Sequence, residues 1–271
     1  MATTALPAAL ITPRRSMGRT LAVYAKEAKY ELLKNVRIPV YAISTIAFPV
    51  MFYVLFGIVL GRNNPAARDN ATYMLATMGC FGVMAVALFG FGVSLAIERG
   101  QGWLQVKRAS PMPVSAYFAA KLFAAVVFST VIMLLLLALG FAFGGVHLAP
   151  ATAAKLLGIL VAGSLPFSAM GLAIGYFAKP NSAPAVVNLI YLPMSFCSGL
   201  WIPLFMLPHG LQQFARILPA YHMSQLALNT VGMGMNPSPG WGHVEALIAF
   251  TLICLGLAAW GYRRDEGKMY G

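Results

Sequence analysis

Charge is what this sequence has least of. Only 10% of its residues are charged, where soluble domains carry roughly 25%. Together with 59% hydrophobic residues, this excludes a soluble globular domain of any size and points to a polytopic membrane protein. Cysteine is also scarce. Cys80, Cys197 and Cys254 each fall inside an apolar run, and an odd number in such places fits packed free thiols rather than a disulfide framework. No GxxxxGK[ST] loop occurs, so the chain holds no ATP phosphates in that way. His147, His209, His222 and His243 show neither HExxH spacing nor a zinc ligand set. The start of the chain lacks a signal-peptide pattern, because LPAALI is too short an apolar core and the arginines follow it. Charge is missing from the middle of every apolar run as well. Carriers coupled to protons or sodium usually keep an ionisable group at mid-membrane, so energy for transport would have to enter from outside the membrane part.

What is present is a series of apolar runs separated by basic segments. Residues 1–13 read as disordered. Residues 16–37 form a helical pattern with Leu21, Tyr24, Ala25, Ala28, Leu32 and Val36 on one face and Arg19, Lys26, Glu27, Lys34 and Arg37 on the other. Such a helix suits a membrane surface with anionic lipid. Runs at 38–60, 73–97, 117–143, 155–178 and 243–262 are each long enough to cross about 30 Å of hydrocarbon. Pro49 should kink the first, and Lys121 should snorkel from the start of the third. Residues 186–207 could make a further span, but Pro193, Gly199 and Pro203 interrupt it. The stretch 201–232 reads as short re-entrant or interfacial helices, which survive at that depth only when shielded by protein or water. Glu245 reads as an interfacial residue. The expected fold is therefore all-α: a cytoplasmic N-terminal segment at 1–37, a six-span domain at 38–262 and a cytoplasmic tail at 263–271.

The net charge of +12 does not imply nucleic acid, because the basic residues are not gathered on a soluble face with stacking aromatics. They set orientation instead. With six spans, fourteen lysines and arginines fall on one side, against Arg62, Arg68, Lys155 and Arg216 on the other. The positive-inside bias then places both termini in the cytoplasm. The segment 98–113, ERGQGWLQVKRASPMP, lies on the same side. Gly100 and Gly102 let the chain turn out of the second span, and Pro111 and Pro113 end whatever short helix lies between. Trp103, Leu104 and Val106 among Arg99, Lys107 and Arg108 read as a knuckle on which another protein pushes; the alternative is a solvated loop with one stray Trp.

Taken together, these features resemble the permease subunits of ABC type-2 exporters. The resemblance rests on the basic helix before the first span, on Glu98, Gly102, Leu104, Arg108 and Pro111 followed by Lys121, and on SGLWIPLFMLP and LPAYH before the last span. The wording RGQGWLQ departs from the commoner acidic-Gly-Thr-Leu form. The resemblance implies that Glu98, Arg99, Gly102, Trp103, Leu104, Lys107, Arg108 and Pro111 belong to a coupling helix that docks into a separately encoded ATPase. That partner would bind ATP-Mg, and this chain would carry no cofactor or metal of its own. It further implies short extracellular helices around Gly199, Pro203, Pro208 and Pro219, a second permease subunit, either identical or a paralogue, and alternating access in a bacterial inner membrane. The passage would be lined mainly by the first, second and fifth spans, whose Phe48, Met51, Phe52, Met78, Met194 and Phe196 suit a lipophilic cargo such as a drug, a peptide or a lipid. Polysaccharide export is the alternative cargo class. An ATP-independent carrier or a membrane scaffold are the rival functions.

Overall fold

A segment with no polar face has to sit where no face meets water, and that rule decides the centre of this molecule. The computed structural model describes residues 17–61, 66–110, 112–235 and 240–267; residues 1–13, read above as disordered, lie outside them, as does Pro111. The described residues form ten helices and no strand. They are α1 (Met17–Val36), α2 (Pro39–Phe52), α3 (Ala67–Gly100), α4 (Trp103–Ala109), α5 (Val114–Phe143), α6 (Pro150–Phe177), α7 (Ala183–Cys197), α8 (His209–Ala215), α9 (Pro219–Thr230) and α10 (Trp241–Gly267). α3 is the central one. Its residues from Met74 to Leu88 are all buried, and α2, α5, α6 and α9 pack around it.

Five helical stretches are long and apolar enough to cross a membrane: Tyr41–Val59, Ala67–Gly100, Val114–Phe143, Pro150–Phe177 and Trp241–Asp265. The sixth expected span is shorter than its apolar run. α7 has 15 residues and stops at Cys197, which gives about 22 Å of helix at 1.5 Å per residue. Pro193 stays within α7, so the break comes after Ser198 rather than at the proline.

The kink expected at Pro49 takes a different form. α2 runs through Pro49 and then widens into a π-helical stretch, Tyr53–Val59. A second π-helical stretch, Leu88–Val93, interrupts α3. Such stretches occur often at functional sites. At the second, α3 and α6 approach backbone to backbone: a Cβ on Gly171 would lie 3.0 Å from the Ala87 carbonyl oxygen and 3.1 Å from the Gly92 nitrogen. Only glycine allows that approach.

α1 meets the rest of the molecule along a polar edge. Glu31 and Asn35 are buried, whereas Leu21 and Val36 of the apolar stripe are exposed. α1 packs mainly on α5 and also on α2. The three cysteines are free thiols, with Cys80 and Cys254 buried.

Candidate functional site

Where α3 ends, the chain must turn sharply to start α5, and the turn gathers charged side chains from several helices. Gly102 adopts a left-handed φ of 77° and serves as the N-cap of α4, a conformation that costs glycine little. Ser110 closes the other end of α4, its hydroxyl donating to the Lys107 carbonyl at 2.7 Å. Leu104 packs inward near Leu95, Tyr117 and Tyr176. Trp103 and Val106 point outward, at 54% and 61% exposure. Arg108 lies within α4.

Glu98 does not face solvent as a segment of this polarity suggested. Its Oε1 accepts from the Lys34 ammonium at 2.6 Å, from the Ser94 hydroxyl at 2.9 Å and from the Lys121 ammonium at 3.1 Å, while its Oε2 accepts from the Tyr117 hydroxyl at 2.6 Å. Lys121 is 3% exposed and also donates to Glu31 at 2.9 Å. The expectation that Lys121 snorkels is therefore corrected: partners within the fold meet its charge, because Glu31 and Glu98 lie 2.9 and 3.1 Å from its ammonium. Lys34 binds both oxygens of Glu31, at 2.6 and 2.7 Å. Burial pushes the Lys34 ammonium down, but Glu98 and Glu31 outweigh it and hold the pKa above the ordinary 10.5. A third pair, Lys107 with Glu27, ties α4 to α1. Three carboxylates (Glu27, Glu31, Glu98) thus face three ammonium groups (Lys34, Lys107, Lys121). Charges this deeply placed persist only when so matched.

Arg99 turns the other way. Its guanidinium donates to the carbonyls of Tyr176 and, at 2.7 Å, of Ala178, and lies 3.6 Å from the Asp265 carboxylate. It therefore caps the C-terminal end of α6 and clips α10 to α3, a use of the flat, many-donor guanidinium that lysine would not reproduce.

Beside this elbow opens a groove of about 1430 Å³, running from Trp103 and Lys107 along α2, α3 and α7 to Phe196 and Trp201. Phe48, Phe52 and Phe196 line it, whereas Met51, Met78 and Met194 are not among its lining residues; Met78 and Met194 belong to the packed core. At the far end, Trp201 meets Phe52 at 4.4 Å, Phe196 at 4.9 Å and Phe81 at 5.0 Å between ring centroids, and Phe81 stacks on Tyr191 at 4.7 Å. The Trp201 indole donates to Ser195 at 2.9 Å, which fixes its ring within the cluster.

The proline- and glycine-rich region lies at this far end. The Gly199 carbonyl accepts from the Tyr73 hydroxyl at 2.5 Å. Pro203 precedes a 3-10 turn, Leu204–Met206, Pro208 precedes α8, and Pro219 opens α9. His222 Nε2 donates to the Arg216 carbonyl at 3.0 Å, which leaves its Nδ1 to accept from His243 Nδ1 at 2.9 Å. Among the described residues no group of three or more metal-ligating side chains forms.

The sequence singles out Glu98, Arg99 and the glycine turn, but not the partners these side chains meet within the fold. Glu31, Lys34, Ser94 and Tyr117 stood out by no local pattern. Lys121 did carry a signal, as the lone charge in an apolar stretch of more than a helix span. Trp201, too, was read only as part of a motif.

Comparison with known proteins bears on what this arrangement serves. The family model for the ABC-2 type transporter matches residues 27–231, which takes in the ion-paired elbow, the groove and α9. A Bacillus subtilis (strain 168) protein named "Putative transport permease YvfS" is 27% identical over 244 residues, covering 90% of this chain and 98% of that protein. With its apolar membrane-length helices and a family match over most of its length, the chain belongs to the ABC-2 type transporter family, as a membrane transport permease.

Proposed function

We propose that this chain is the permease subunit of an ATP-driven exporter in the bacterial inner membrane. Six spans would cross the membrane, counting α7 with the turn that follows it, and both termini and the elbow would face the cytoplasm. α1 would lie along the membrane surface, and the segments at 201–232 would form short helices at the outer side. A separate ATPase, binding ATP-Mg, would grip the outward face of α4 at Trp103 and Val106. Glu98, Arg99 and Leu104 would transmit its movement to α1, α5, α6 and α10. A second permease subunit, identical or paralogous, would close the open side of the groove.

The observation that carries this reading is the continuity of elbow and groove. Trp103 and Lys107 belong both to the short exposed helix and to the groove lining, so a push on α4 alters the groove directly. ATP-driven closure of the partner would favour one of two packings, which is what a ligand-driven switch requires. The largely apolar, aromatic lining favours a lipophilic or amphipathic cargo over a polysaccharide.

The test is reconstitution in vesicles with the ATPase encoded beside this chain. Cargo movement should require ATP, and Trp103→Ala combined with Val106→Ala should abolish cargo-stimulated hydrolysis while leaving membrane insertion intact. Transport without the ATPase would support a carrier, and docking without turnover a scaffold. Labelling of Trp103→Cys from the outside only would overturn the orientation.

A further inference from the structure

The groove contains polar side chains that the fold leaves unanswered. Asn35 is 6% exposed and Thr45 8%, both line the groove, and neither has a hydrogen-bond partner among the described residues. The contrast with other threonines is direct: Thr77, Thr130 and Thr251 return their hydroxyls to the carbonyl one turn back, at 3.2, 2.7 and 2.6 Å, the usual arrangement in an apolar helix. Thr45 makes no such bond. Tyr41 and Ser44 share its face of α2, one turn or less away, between Ile38 and Phe48, and both line the groove without a hydrogen-bond partner among the described residues. The Tyr41 hydroxyl lies over Gly90, where a Cβ would sit 3.2 Å from it. Asn35 and Thr45 are buried and Tyr41 and Ser44 half-buried, and polar groups that face an apolar groove with no protein partner keep their hydrogen-bonding capacity for whatever enters it.

The groups beside them narrow its chemistry. At the elbow end of the groove, Glu27, Glu31 and Glu98 are already matched by Lys107, Lys34 and Lys121. A charged ligand would find each of these six charges already matched. Toward the far end the wall is aromatic. We propose that Asn35, Tyr41, Ser44 and Thr45 form a subsite for an uncharged hydrogen-bonding group (an amide, ester or hydroxyl) of a ligand whose remainder is apolar. The apolar part lies along Phe48 and Phe52 toward Trp201. The inference rests on reading the groove as the cargo passage, and it names the cargo class: neutral amphiphiles rather than organic cations or anions.

The experiment uses the full chain in nanodiscs without any ATPase. Four amphiphiles with the same dodecyl tail serve as probes: dodecyl glucoside, N-dodecanoyl-N-methylglucamine, dodecyltrimethylammonium and dodecyl sulfonate. Binding is read from Trp201 fluorescence after Trp103, Trp241 and Trp260 are each changed to Phe. The two neutral probes should bind about ten-fold tighter than the charged pair. Asn35→Leu combined with Thr45→Val should remove about ten-fold of that affinity and leave the charged probes unchanged. Thr45→Ser, which keeps the hydroxyl, should bind as the parent does. Equal or tighter binding of a charged probe, no binding by any probe, or a double variant indistinguishable from the parent would overturn the proposal. Selectivity that survives while ATP-driven transport fails would sink the exporter reading alone. Transport that persists with selectivity absent would sink the subsite alone.

Discussion

The two ends of the groove are held by different forces. At the elbow end, matched charges join α1, α3, α4 and α5, and all the ion pairs among the described residues lie there. At the far end, Trp201 and the phenylalanines around it rely on area and ring geometry, with a few hydrogen bonds such as Tyr73 to Gly199. An ion network is specific and brittle, because removing one member leaves the others buried without a partner. An aromatic cluster spreads its stabilisation over many weak contacts and can repack. The fold is therefore held by a few specific pairs at the elbow end and by many weak contacts at the far end.

The sharpest way to break this contrast is at Lys121. Lys121→Ala strips an ammonium from both Glu31 and Glu98 and should cost about 3–5 kcal/mol, read as a large drop in thermal midpoint of the solubilised protein. Restoring most of that loss with Glu31→Gln added would identify the stranded carboxylate as the cause. At the other end, Trp201→Ala should cost less, about 2–3 kcal/mol, since the indole is only half-buried and its neighbours can close in. A cost for Trp201→Ala greater than for Lys121→Ala would reverse the comparison.

Acid separates the ends by a smaller amount. Burial lowers the His222 pKa below its ordinary 6.5, partly offset by the Arg216 carbonyl. The neutral form is the one the fold prefers. Its contribution is complete above about 6.5 and is lost as pH falls below that value. The far end should loosen first on mild acidification, seen as faster hydrogen exchange in α9, and His222→Gln should weaken that dependence, leaving the part that His243 carries through its own burial. The smallest effect is expected at Trp103. With its side chain exposed, Trp103→Ala should change stability by less than about 0.5 kcal/mol, measured by the same thermal midpoint, even though it removes the proposed docking residue.

Much of the architecture was legible because apolar runs announce themselves. The runs at 38–60, 73–97 and 117–143 correspond to α2 with its π-helical extension, α3 and α5, and the glycine turn before Trp103 stands where residue chemistry put it. The run at 186–207 is longer than its helix, and Gly199, expected to interrupt it, takes a left-handed φ of 77° just past the helix end. α7 ends at Cys197 although the apolar residues continue. The π-helical stretches were not legible either; Pro49 announced a distortion, but the widened turn lies after it. Most hidden of all was the ion network. Glu31 meets Lys121 ninety positions along the chain, and no local period encodes that approach. What the sequence did offer was Lys121, a single charge in an apolar run, which has to find an acid somewhere.

The Arg99 clip bears on how the chain assembles. Arg99 and the α6 carbonyls it caps precede Asp265 in the chain, so the guanidinium meets its carboxylate after it has met α6. The guanidinium, already bonded to the end of α6, is therefore a hook for α10. Asp265→Ala would leave the helices in place yet unlatch α10 from the end of α3.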